Sequence, residues 1–123
     1  MKLYRKFRVD ADGKPIVGTK FGMLGVRPTD PNNRKKRADV KAVNGSDLVR
    51  RGGGGLSVYT DPTAILIQAA DLVLCEIDTA DLPPGLLETA ASKPHYLIEP
   101  SQQMTLDEYQ ELLADTQDLW QPV

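Results

Sequence analysis

Apolar and charged positions alternate along the opening segment KLYRKFRV, where Leu3, Phe7 and Val9 stand between charged neighbours and Tyr4 is the one departure. That period of two predicts a first strand with one face wet. DADGKP, with Asp, Gly and Pro, is a turn. IVGTKFGMLGVRP is punctuated by glycine and reads as a short strand or extended loop. From Arg27 to Lys41 the chain carries prolines, asparagines and the basic cluster RKKR, which predicts an exposed loop. DLVRRGGGGLSVY then brackets four consecutive glycines between two short apolar pieces, the second rich in strand formers. Asp61 followed by Pro62 has the form of a helix start, an N-cap acceptor before proline at the first helical position. On that start TAILIQAA, residues 63–70, is expected to continue as a short helix. DLVLCEID is almost continuously apolar and predicts a buried central strand. TADLPPGLLETAASK reads as a surface connection with room for one helical turn, and PHYLIEP as a strand cut off by Pro100. TLDEYQELLADTQDLW opens with a capping box, Thr105 with Glu108 three residues on. Leu106, Tyr109, Leu112 and Leu113 share one helical stripe there, so a packed amphipathic helix is expected.

Several short strands with two or three helices, not in strict alternation, indicate an α+β domain rather than a doubly wound parallel sheet. The 123 residues suit a single domain, 1–123, with one core. At 41% hydrophobic and 26% charged, the composition is that of an ordinary globular domain. No apolar run approaches the roughly 20 residues of a membrane-spanning helix. MKLYRKFRVD turns charged before a signal-like apolar stretch develops, so no secretory signal is expected. The one cysteine, Cys75, fits a reducing cytoplasm, and its neighbours LVLCEI mark it as a buried strand residue.

Charge changes the picture more than composition does. Residues 1–51 carry 14 Lys and Arg against 5 acids, a net +9, whereas 52–123 carry Lys93 against 12 acids, a net −11. Either the basic half meets an anionic partner, or the halves lie against each other and partly neutralise. RKKR likewise reads as a solvated loop or as a phosphate or nucleic-acid contact. A pI near 5.3 and 6% aromatic residues argue against a nucleic-acid-associated protein.

Four glycines in a row are costly in entropy unless the backbone needs their freedom. RRGGGGLSVYTDP is not a Walker loop, which needs Lys and Ser/Thr after the last glycine at the opening of a helix. Nor is it a Rossmann fingerprint, since the flanking strand and helix are missing. One His and one Cys supply no metal-ligand spacing. Ser57 and His95 make serine–imidazole chemistry formally possible, but the nucleophile-elbow sequence of the hydrolases is absent. Taken alone, His95 in PHY is a structural histidine at a sheet edge, and Arg5 a solvated strand residue.

The order of the pieces adds to this reading. LYR at Leu3–Arg5, GGLSVY at Gly54–Tyr59, LPPGL at Leu82–Leu86, and HYLIEP at His95–Pro100 followed by Met104 occur in one sequence. In that order the chain resembles the ADP-ribosyltransferase superfamily, and most closely its small type VI secretion effector toxins, over Leu3 to about Leu113. The resemblance implies a split β-sheet core with a few short helices and NAD as substrate. It implies that Arg5, with Tyr4 beside it, holds the ribose and phosphate side of NAD, a task suited to a guanidinium's fixed fork of donors. Ser57 matches the serine of the second-motif strand, while Leu56 stands where the toxins have threonine. Tyr59 then walls the nicotinamide ring or packs as core. His95 corresponds to a pocket histidine that contacts ribose or carries a proton. The glutamate expected to stabilise a cationic transition state has two candidates, Glu99 and Gln103, neither in a clear motif. A toxin of this kind implies action in a cytoplasm, its own or another cell's, with a cognate immunity protein or antitoxin and a target macromolecule. The alternative is a non-catalytic nucleotide-binding or interaction module of the same fold.

Overall fold

The computed structural model describes every residue except 31, 34–36 and 44–45, so Arg37 is the only member of the basic cluster within the described residues. Among the described residues eight strands form: β1 (Lys2–Phe7), β2 (Leu48–Val49), β3 (Leu56–Tyr59), β4 (Val73–Asp78), β5 (Leu86–Ser92), β6 (His95–Pro100), β7 (Met104–Thr105) and β8 (Gln121–Pro122). One α-helix, α1 (Leu106–Asp115), joins them. The fold is mixed α+β and mostly sheet: an open antiparallel sheet in the order β5-β6-β3-β1-β4-β8, with β2 and β7 paired apart from it.

β1 runs beside β4 in full register from Lys2↔Asp78 to Phe7↔Val73, which places Leu3 against Ile77 and Arg5 against Cys75. Toward β3 its ladder is a single registered pair, Tyr4↔Tyr59. The sheet is therefore two well-paired halves, β5-β6-β3 and β1-β4-β8, joined at one narrow seam. Leu3 and Phe7 are fully buried, and Arg5 lies between them on the same alternation. Phe7 meets Trp120 edge to face at 4.9 Å, an arrangement favoured by the ring quadrupoles. Cys75 is buried as its apolar neighbours predict, and loss of hydration pushes its thiol up to about 11, so it stays neutral.

The helix begins as its sequence predicts. The Thr105 hydroxyl accepts from the Glu108 N–H at 3.1 Å, and Asp107 and Glu108 stand in the first turn, where the dipole favours acids. Tyr109 and Leu113 are fully buried, with Leu106 and Leu112 packed on their flanks. The Tyr109 hydroxyl donates to the Ile98 carbonyl at 2.6 Å and accepts from the Leu56 N–H at 3.2 Å, tying α1 to β6 and β3.

Four expectations are corrected. Pro62–Ala64 forms one 3-10 turn, with Asp61 accepting from Thr63, but Ile65 is extended and no helix follows. Ile65 and Ile67 turn toward one cavity while Leu66 is 85% exposed, an alternation of period two that suits β-branched residues. The connection at 79–93 holds its helical turn at Thr79–Asp81 but also contains β5, an edge strand whose status depends on pairing with β6. β4 is not central; it lies one strand from the β8 edge. The loop from Arg27 to Lys41 is pinned at both ends, by bridges Pro28↔Val40 and Val40↔Gly54, and Val40 is buried.

Candidate functional site

The four glycines, Gly52 to Gly55, do not line the cavity beside the β1–β3 seam. Gly53 closes a turn onto the Arg50 carbonyl, and Gly52 and Gly54 take φ of +87° and +100°, conformations that cost little only for glycine. A side chain on Gly54 would collide with the Asp39 carbonyl oxygen, and one on Gly55 with the Ile98 carbonyl. The run thus lets the Asp39–Val40 backbone cross close to the start of β3. Its effect on chemistry is indirect: it sets where Asp39 stands.

Beside the β1–β3 seam lies a cavity of about 190 Å³. Arg5 and Lys6 line it from β1, Ser57 and Tyr59 from β3, and Lys20, Phe21, Arg27, Arg37, Asp39, Ile65 and Ile67 from the loops. Thr19, Lys20, Phe21 and Arg27 also border a second, more open recess of about 640 Å³. Among the described residues, five cations line the cavity against one acid. Elsewhere the two halves of the chain neutralise each other, through Lys2–Glu76, Arg8–Asp71 and Lys14–Asp118 at the surface. Five cations of the first half are thus gathered at the cavity.

Arg5 is the most constrained of these cations. Its Nη1 donates to the Ser57 carbonyl at 2.8 Å, at the seam where the β1–β3 ladder stops. The guanidinium carbon lies 5.3 Å from the Phe7 ring centroid, and Nε is sealed from solvent without a hydrogen-bond partner. Desolvation lowers the Arg5 pKa, an effect that Asp39 opposes and Arg27 reinforces.

Ser57 faces His95: its Oγ is 2.6 Å from Nε2. The register explains the meeting, since Tyr59 pairs with His95 and Ser57 with Leu97, so Ser57 and His95 are diagonal neighbours on one face. The Tyr59 and His95 rings lie 5.1 Å apart and tilted by 31°. Desolvation, and then Arg37, hold the His95 pKa below its ordinary 6.5, which keeps the imidazole neutral near pH 7.

Arg27 and Asp39 form a two-point ion pair, Nε to Oδ2 and Nη2 to Oδ1, both at 3.1 Å. The Arg27 backbone N–H adds a third bond to Oδ2 at 2.8 Å. That pairing raises the Arg27 pKa. Both residues fall inside a segment that reads as an exposed loop, and local sequence carries no sign that a loop is pinned from Gly54.

Arg5, Ser57 and Tyr59 therefore share one cavity, with His95 behind Ser57. The remaining candidates lie apart from it. Tyr4 sits opposite Glu76 and does not line the cavity. Glu99 is 2% exposed and its Oε2 accepts from the Gly52 N–H at 3.0 Å, so its carboxylate braces the glycine turn. Gln103 is exposed in the turn before β7. The strand geometry of HYLIEP accounts for Glu99, which is four residues beyond His95 and reaches the far end of β6. Among the described residues no three His, Cys, Asp or Glu side chains gather as a metal site would require. No protein-family model matches the chain, and no curated protein matches it either.

Proposed function

We propose that the chain is a small ADP-ribosyltransferase-like toxin domain that takes NAD into the cleft at the β1–β3 seam. The observation that carries this reading is the cation-lined cavity in which Arg5, held by the Ser57 carbonyl, stands beside Ser57 and Tyr59. A sheet that divides at a single registered pair is the architecture the resemblance implies, and it leaves the strand-borne residues of the first and second motifs facing one opening. The cavity suits one end of a dinucleotide, and the neighbouring recess that shares Phe21 and Arg27 offers room for the other. Phe21, Tyr59, Ile65 and Ile67 offer apolar and aromatic surface to a base or nicotinamide ring, while the arginines face the phosphates. With Nε2 unprotonated, His95 accepts a hydrogen bond from Ser57 and fixes the direction of its hydroxyl beside a bound ribose.

Binding without cleavage is the second reading, and one observation favours it. Among the described residues the single carboxylate of the cavity wall, Asp39, is already engaged by Arg27, so no free anion stands ready for a cationic transition state.

NAD is expected to raise the melting temperature of the wild-type chain, and Arg5→Ala and His95→Ala to abolish the rise. A flat wild-type response at millimolar NAD overturns the reading. Growth arrest of an unprotected host on expression, with loss of cellular NAD or labelling of a target, separates the toxin from the binding module.

A further inference from the structure

Two guanidinium groups line the cavity with their positions fixed by the protein. Arg5 is held by the Ser57 carbonyl and Arg27 by Asp39. An arginine carries five N–H donors. Arg27 spends two of its side-chain donors on Asp39 and keeps the rest, while Arg5 spends an Nη1 donor on the Ser57 carbonyl and lines the cavity with the remainder of its fork. Arg37 lines the same space. We infer that Arg27, positioned by Asp39, is the second half of a diphosphate clamp whose first half is Arg5, and that the ligand class is a pyrophosphate-bearing nucleotide.

The charge distribution favours this ligand over a single phosphate. Arg27 is near enough to Arg5 to disfavour its charged form, so the cavity holds like charges together. Pyrophosphate carries more negative charge than orthophosphate and spreads it over two linked centres, so it offsets that repulsion more fully at both guanidinium groups. Asp39 in this account is a positioning residue: it fixes the plane and reach of the Arg27 fork and does not touch the ligand. Its own position derives from the glycine run, because the Asp39 carbonyl lies against Gly54, where a side chain has no room. The inference rests on the nucleotide reading of this cavity, and inorganic pyrophosphate tests it apart from NAD.

The sign of one substitution is decisive. Asp39→Asn removes a negative charge from a cation-lined cavity, so Coulomb attraction alone predicts tighter anion binding. A positioning role predicts weaker binding, because the amide cannot accept the full fork. Isothermal titration with sodium pyrophosphate in magnesium-free buffer at fixed ionic strength measures the difference. The wild type and the surface control Lys2→Ala are expected to bind pyrophosphate at least about tenfold tighter than orthophosphate, and Arg27→Ala and Asp39→Asn to lose about tenfold. Unchanged affinity in Arg27→Ala, or equal or tighter binding in Asp39→Asn, overturns the proposal. If circular dichroism shows Asp39→Asn unfolded, Arg27→Lys replaces it: the charge stays but the fork is lost, and wild-type affinity in that variant overturns the proposal equally. Pyrophosphate binding that depends on Arg27, with no response to NAD, keeps the clamp and removes the NAD reading. NAD binding indifferent to Arg27→Ala does the reverse.

Discussion

The Ser57 hydroxyl lies 2.6 Å from Nε2 of His95, a contact between β3 and β6 that joins residues 38 positions apart in the chain. With Nε2 unprotonated, the serine donates and the imidazole accepts. The direction of the contact therefore follows the protonation of His95, whose neutral form desolvation and Arg37 favour by lowering its pKa from 6.5.

That direction gives a pH dependence. A histidine whose folded pKa is lowered takes up a proton more readily when unfolded. Its contribution to stability is present in full above the ordinary 6.5 and is lost as pH falls through the lowered value. The wild-type melting temperature is expected to drop between pH 7 and 5, and His95→Gln to flatten that slope, as thermal denaturation across a pH series will show. NAD-induced stabilisation should weaken over the same interval. A slope identical in the two proteins would place the titration elsewhere.

Arg5 is expected to separate stability from function. Its Nε is buried without a partner and its charge is disfavoured by desolvation. Replacing such a group by an apolar residue of similar length is often neutral or stabilising, here by up to about 1 kcal/mol. Arg5→Met should keep or raise the urea midpoint while losing the NAD response. A large loss of stability would instead make Arg5 a structural residue.

Two glycines of the run should differ. Gly52 at φ +87° has open space around the position of a side chain. Gly52→Ala therefore costs only backbone strain, about 1 kcal/mol. Gly54 at φ +100° adds a collision with the Asp39 carbonyl. Gly54→Ala should cost about 2 kcal/mol more. Denaturant titration orders them, and the Gly54 variant should also weaken pyrophosphate binding through Asp39.

Glu99 accepts from the Gly52 N–H and lies outside the cavity, so its substitution should act on stability alone. Glu99→Gln keeps an acceptor and is expected to lose about 1–2 kcal/mol, with NAD binding unchanged within error. Loss of the NAD response in a folded Glu99→Gln protein would return this residue to the site.

Much of the local structure can be read from the chain. The alternation of Leu3, Phe7 and Val9, the Thr105 cap and the Tyr109–Leu113 stripe are signals that neighbouring residues carry by themselves, and the elements form where these signals stand. β5 is not legible, because LLETAAS has no strong alternation and becomes a strand only by pairing with β6. The helix expected after Asp61 ends at one turn, because Ile65 and Ile67 cover the cavity from an extended segment.

The candidate side chains are written in the chain alone: a guanidinium on the first strand, a serine and tyrosine after the glycines, a lone histidine. Their spacing along β3 and β6 is enough to make Ser57 and His95 neighbours once those strands pair. Three-dimensional packing alone makes the β1–β3 ladder stop at Tyr4↔Tyr59, leaving Arg5 to fill the seam, and brings Arg27 and Asp39 to it from a loop. Opening a ladder and pinning a loop are long-range events, set by where a backbone can approach Gly54 and by what a buried guanidinium finds to bond. No window of neighbouring residues encodes either.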